Sequence, residues 1–226
     1  MPDLLIATTA REIVSYATTR CLDEERKLFP ADAEIFDYAN KIAKEIARHS
    51  KLLKSDLYIP LIPNQLEYSY LAVADHLINV LQIETVTLID GGVESKPLTY
   101  KNKKTFRGET ILDGSTTSPR YYTFDAVTLA YWRPVANDTS RLRLQTSRDL
   151  MSNEYVGKDM DLPPELWLRY SDYIKFGTVS EMCLARPKEE HLSNIQQNYE
   201  RLYKQYKDLD LIPKTLDTQQ SFMREF

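Results

Sequence analysis

At 226 residues, with 42% hydrophobic and 27% charged side chains, the chain is long enough for one large or two small domains and buries a core without disulfide or metal staples. A formal net charge of -4 excludes the clustered Lys and Arg surface of a sequence-independent nucleic-acid binder. With 6 glycines there is little room for phosphate loops, while 15 tyrosines favour partly buried subunit contacts.

No apolar run reaches the roughly 18 residues that a membrane span needs, and Met1-Pro2-Asp3 lacks the basic start of a signal peptide, so a soluble, unexported product is expected. The 2 cysteines, Cys21 and Cys183, fall on separate predicted helices and form neither a CxxC pair nor a secreted framework; reduced thiols are expected. In chain order, the first helix is expected to begin near Thr9, where Thr9-Ala10-Arg11-Glu12 has capping-box spacing and leads into Ile13, Tyr16, Ala17 and Cys21. A second is expected over 31–49, with Ile35, Tyr38, Ala39, Ile42, Ala43 and Ile46 on one face.

From Ser55 the period changes to two. Leu57, Ile59 and Leu61 alternate with polar or turn residues, and 66–73 and 80–89 are rich in β-branched and aromatic side chains. Asp90-Gly91-Gly92 reads as a turn between strands, 120–132 as one strong strand bounded by Pro119 and Pro134, and Arg141-Leu142-Arg143-Leu144-Gln145 as a strand with one wet face.

The last third reads as a helical hairpin. Leu162-Pro163-Pro164-Glu165 opens one helix and Arg186-Pro187 the next, because proline is tolerated in a first helical turn. Leu166, Tyr170, Tyr173, Ile174, Gly177, Glu181 and Leu184 recur at three- and four-residue steps, and Gly177 sits where another backbone has room to approach. In the second helix Leu192, Ile195, Tyr199, Leu202, Tyr203 and Tyr206 form a stripe opposite Gln196, Gln197 and Lys204. Two readings stand for Tyr199, Tyr203 and Tyr206: the hairpin's own core, or a contact between subunits. Pro213 and the loss of periodicity make 209–226 an extended tail. Its apolar anchors Phe222, Met223 and Phe226 either dock on a neighbouring chain or fold back on their own bundle.

The expected class is therefore α+β: a helical bundle of N-terminal and C-terminal helix pairs with an inserted antiparallel β domain and an extended tail. The segments are 1–54, 55–153, 154–208 and 209–226. No catalytic, cofactor or metal constellation emerges. His49, His76 and His191 stand far apart, without a second ligand at helical spacing. Asp113-Gly114-Ser115 is a turn, not a nucleophile elbow, and Asp159, Asp161, Glu189 and Glu190 lie at helix N-termini, where the macrodipole favours acids. Lys101, Lys103, Lys104 and Arg107, interleaved with Tyr100 and Phe106, read as a solvated β loop.

Several of these residues carry a resemblance. Leu162-Pro163-Pro164-Glu165, Tyr170, Ile174, Gly177, Leu184, the Arg186-Pro187-Lys188 break and Tyr199 resemble the C-terminal hairpin of the head-to-tail adaptor proteins of short-tailed bacteriophages, the class that includes tail tubular protein A. Looser echoes are Ile6-Ala7, an exposed Pro97-Leu98 in the β insertion, and Pro119-Arg120-Tyr121-Tyr122 leading into a strand that ends near Pro134. Where such proteins often carry a Trp after the break, this chain has Glu190-His191-Leu192.

The resemblance implies a dodecameric ring under the portal protein that lines a DNA channel in the phage neck. DNA passes without specific binding, tail nozzle or fibre proteins contact the β domain, and the subunit assembles in the host cytoplasm. It implies no catalysis, no cofactor and no membrane. The rival readings are a small hydrolase using Asp75-His76 and a module that holds a peptide or glycan on its β insertion.

Overall fold

The computed structural model describes residues 3–62, 67–69, 79–102, 121–124, 128–131, 139–157 and 161–206, with side chains of the first helix described from Thr9. The chain is α+β. It divides into two compact units: a helical one from the described residues of 1–53 and 149–217, and a β unit from those of 54–148.

In the helical unit α1 (Asp3–Arg20), α2 (Asp32–Ser50), α3 (Pro164–Ala185) and α4 (Glu190–Tyr206) enclose one core. The α1 helix already begins at Asp3, not near Thr9. Leu4-Leu5-Ile6-Ala7 contains no glycine or proline, so nothing stops the helix from continuing upstream and the capping-box spacing falls inside it. The α2 helix follows its period closely: Ile35, Ala39, Ile42, Ala43, Ile46 and Ala47 are buried, and Lys51 ends it in the left-handed conformation, donating its N–H to the Ala47 carbonyl at 3.0 Å.

Pro164 is the first residue of α3, where its missing N–H is harmless, and the Leu166 and Trp167 N–H groups both donate to the Pro163 carbonyl. The helix packs against each of the other three, so its buried residues spread beyond one stripe to Val179, Met182 and Cys183. That breadth displaces Leu184, expected on the inner stripe, to the surface at 53% exposure. A kink at Tyr170, with φ -128° and ψ 17°, interrupts α3. The turn before α4 extends past Arg186-Pro187: the Glu189 N–H donates to the Arg186 carbonyl, and the helix starts at Glu190.

Gly177 is approached by a side chain and not by a backbone. A Cβ there would lie 2.8 to 2.9 Å from three carbons of Ile42, including both γ carbons of its branch. A β-branched residue in a helix has essentially one χ1 well, so Ile42 has little room to withdraw. Gly177→Ala is therefore expected to destabilise the helical unit by about 1–2 kcal/mol, overpacking outweighing the ~1 kcal/mol that Ala gains over Gly in a helix. In an Ile42→Ala background the same change should become stabilising; thermal melts of the four proteins of this double-mutant cycle check the reversal of sign.

The segment 21–31 between α1 and α2 is wound around Asp23. This 3%-exposed carboxylate accepts the backbone N–H groups of Lys27, Leu28 and Phe29 at 2.7, 2.9 and 2.8 Å. Leu22 and Arg26 on either side take positive φ of 56° and 58°. From the α3–α4 turn, Arg186 stacks its guanidinium 4.8 Å over the Phe29 ring and donates to the Leu28 carbonyl and to Glu34. Residues after the β unit return to this core. Asn40 exchanges two hydrogen bonds with the Val156 backbone, Asp149 pairs with Arg48 at 2.7 Å, and Leu150 and Val156 are buried.

In the β unit, β1 (Lys54–Pro60), β8 (Arg141–Arg148), β3 (Val80–Asp90) and β4 (Val93–Glu94) form an antiparallel sheet in that order. Period two makes its two faces. Leu142 and Leu144 lie opposite Ile59 and Leu57 on one side and Leu88 and Val86 on the other, while Arg143 between them turns to water and binds Asp56 and Glu94. Gly91 and Gly92, at φ 57° and 83°, supply the two left-handed positions of the β3–β4 turn.

A second sheet holds β2 (Glu67–Ser69), β7 (Thr128–Tyr131), β6 (Tyr121–Phe124) and β5 (Thr99–Tyr100). The run expected as one strand over 120–132 is two: Tyr122, Thr123 and Phe124 pair antiparallel with Tyr131, Ala130 and Leu129, and the passed-over break signal is Asp125, a turn former amid apolar residues. Not every pair is antiparallel: β5 and β6 run parallel, which the long segment between them permits. Leu98 is not exposed. Its N–H donates to Val86 and its side chain is 6% exposed in the β core, while Pro97 alone faces solvent. Of the strand expected over 66–73, only Glu67–Ser69 falls within the described residues.

Candidate functional site

The tyrosines singled out on α4 divide. Leu192 and Tyr203 are buried on its inner side, at 1% and 9% exposure, and Ile195 and Tyr199 are half-buried against the same core. Burial pushes the Tyr203 phenol above the ordinary tyrosine range, and the nearby Glu45 carboxylate adds to the rise. Tyr203 therefore belongs to the chain's own core. Tyr199 sets its ring edge against Tyr16 at 6.5 Å, lies 5.8 Å from Phe176, and has its hydroxyl 3.4 Å from that of Tyr16. The Tyr206 side chain lies outside the described residues, as do Phe222, Met223 and Phe226.

Around Tyr16 the α1, α3 and α4 helices assemble a cluster that the linear pattern did not single out. Lys175, with a side chain 11% exposed, places its ammonium 5.8 Å from the Tyr16 ring centre and 5.2 Å from that of Trp167, and pairs with Glu12. Arg20 covers the Tyr16 ring at 5.3 Å. Burial and the Tyr199 hydroxyl raise the Tyr16 phenol, so it stays neutral and works as a hydrogen-bonding and stacking group, not as a base. The sequence signal for this cluster was the spacing of Trp167, Lys175 and Phe176 along α3, but which helices it faces depends on the fold.

Apolar side chains left uncovered mark the surfaces available for contact. Among the described residues these include, in the helical unit, Leu22, Leu168 and Leu184, at 72%, 77% and 53% exposure, and in the β unit Tyr58, Ile62 and Val93. The outer face of α4 forms a shallow concavity of Gln197, Glu200, Arg201, Lys204 and Gln205. There Glu200, gripped by Lys204 and Gln196, is held below the usual carboxylate range.

Among the described residues the chemistry-bearing candidates do not converge. Asp75, His76, Asp113, Ser115 and Asp159 lie outside the described residues. His49 stands on α2 within 3.9 Å of Glu45, and His191 is exposed at the start of α4. Asp161, ahead of α3, has its carboxyl raised by burial. Of the basic loop, Lys101 covers the Tyr121 ring at 5.1 Å, while Tyr100 packs edge-on against Tyr122, whose phenol burial pushes up to about 12; Lys103, Lys104, Phe106 and Arg107 lie outside the described residues. Among the described residues no group of three or more His, Cys, Asp or Glu gathers as metal ligands do, and no helix is long and apolar enough to cross a membrane. No protein-family model and no curated protein matches the chain.

Proposed function

We propose that this protein is a structural virion subunit, a head-to-tail adaptor that joins a portal to a tail. The observation that carries the reading is the folding of α1 and α2 with α3 and α4, from either side of the β unit, into one helical unit whose α3, opened by Pro164 and carrying Gly177 against Ile42, leaves Leu168 and Leu184 uncovered. In this reading the unit is a bundle, the segment 54–148 is an inserted β domain that meets nozzle or fibre proteins, and the C-terminal tail with Phe222, Met223 and Phe226 docks on the portal or on a neighbour.

Tyr203 is occupied in the core, so the lateral contact of a closed ring falls to the exposed leucines of α3 and to the outer rim of Tyr199. A dodecamer of such subunits would line a channel through which DNA slides, helped by the acidic balance of -4 per chain. The role needs no cofactor, metal or catalytic group.

Native mass measurement of the purified chain, alone and with the portal ring of a short-tailed phage, tests the proposal. Ring-sized assemblies on the portal are expected, and Leu168→Asp should diminish them while far-UV circular dichroism stays unchanged. A chain that remains monomeric and leaves the portal bare would overturn the reading.

A further inference from the structure

Cys21 and Cys183, 162 positions apart in the chain, place their sulfur atoms 3.8 Å from each other inside the helical core. Both are free thiols, at 0% and 3% exposure. Cys21 directly follows the last residue of α1 and Cys183 lies in the last turn of α3, so the pair joins the ends of two helices. The sulfurs are at van der Waals contact, and a disulfide requires them to close to about 2.05 Å. Cys21 leads directly into the left-handed turn at Leu22, and its own N–H still donates to the Ala17 carbonyl at 2.9 Å.

We propose that Cys21 and Cys183 are a redox modification site: a small hydroperoxide converts the dithiol into an intrachain disulfide that ties α1 to α3, and a thiol reductant reverses it. The inference is independent of the adaptor reading. Cys183 is the attacking sulfur, since it is 3% exposed whereas Cys21 is fully buried. The contact between the two sulfurs lowers the Cys183 thiol and, together with burial, raises Cys21.

In the first step the Cys183 thiolate attacks one peroxide oxygen. The S–O bond forms to a terminal hydroxyl oxygen and the O–O bond breaks. The remaining alkoxide, which is hydroxide when the oxidant is hydrogen peroxide, leaves and takes up the proton that Cys183 released, so Cys183 becomes a sulfenic acid and the peroxide is reduced to alcohol or water. In the second step the Cys21 sulfur attacks the Cys183 sulfur. The S–S bond forms, the S–O bond breaks, and the hydroxyl leaves as water with the Cys21 proton. Burial favours the smallest oxidants, since only they reach a sulfur that is 3% exposed.

The test uses the full reduced chain treated with hydrogen peroxide. Expected are an intact mass lower by two hydrogens, loss of both titratable thiols after denaturation, recovery of both with dithiothreitol, and a Tm raised by about 5 °C or more by a cross-link that closes so long a loop. In Cys21→Ser the sulfenic acid should persist on Cys183 and be trapped by dimedone added together with denaturant, which opens the core to it, whereas Cys183→Ser should trap nothing on Cys21. Wild-type chain that gains oxygen without losing hydrogens, forms only interchain dimers, or keeps both thiols titratable would overturn the proposal, as would dimedone on Cys21 for the order of attack. Cys→Ala variants carry the same comparison if either serine variant fails to fold.

Discussion

Asp23→Ala is expected to lower the stability of the helical unit by about 3 kcal/mol or more, since each buried backbone N–H left without an acceptor costs about 1–3 kcal/mol. The carboxylate accepts three backbone N–H groups, from Lys27 and Leu28 in partly buried bonds and from Phe29 in a buried one, and no alanine atom replaces it. The segment it organises passes through two left-handed residues, Leu22 and Arg26, so without its central acceptor the backbone has little reason to hold that path. Phe29, fully buried, would lose its fixed position, and with it the platform on which Arg186 stacks. Asp23→Asn keeps one carbonyl oxygen and should fall between wild type and alanine. Denaturant unfolding followed by the helical circular dichroism signal measures both. A loss under about 1 kcal/mol for the alanine variant would show that Arg186 and Phe29 hold the segment without the carboxylate.

Tyr203→Ser is expected to cost about 3 kcal/mol, the lower end of what removing a large buried aromatic ring costs. The ring is 9% exposed in the core formed by all four helices, and serine leaves most of its volume empty. Tyr203→Phe keeps the packing and should change stability by under about 1 kcal/mol, because the phenol contributes one polar contact near Glu45. The pair of variants separates the two readings of the α4 tyrosines. An unchanged melting curve for Tyr203→Ser with loss of self-association would return Tyr203 to a subunit interface.

How much was legible before folding can be read from particular elements. The Ile35 to Ile46 stripe of α2 and the Leu142, Arg143, Leu144 alternation of β8 were readable because each buries one face, and burial on one face imprints a period on the chain. The stripe of α3 was only partly readable: with neighbours on three sides it buries Val179, Met182 and Cys183 as well, and Leu184 is turned out. Thr9 and Asp125 show the converse failure, a cap signal inside a helix and a break signal inside an apolar run. Local propensity is a weak prior that the surrounding chain overrides.

By itself, the sequence determined what local periodicity and turn chemistry encode: helix-rich ends, a strand-rich middle, the proline-opened hairpin, the Gly91-Gly92 turn and the α+β class. Only the tertiary structure decided which distant residues meet. Ile42 against Gly177, Asn40 on Val156, Arg186 on Phe29, Tyr16 beside Tyr199, and Cys21 beside Cys183 are all pairs separated by a large part of the chain. The physical reason is one of range. A hydrogen-bonded turn or an apolar stripe is written within a few residues, whereas the choice between core and surface for a tyrosine on α4 depends on which other helices fill the space in front of it.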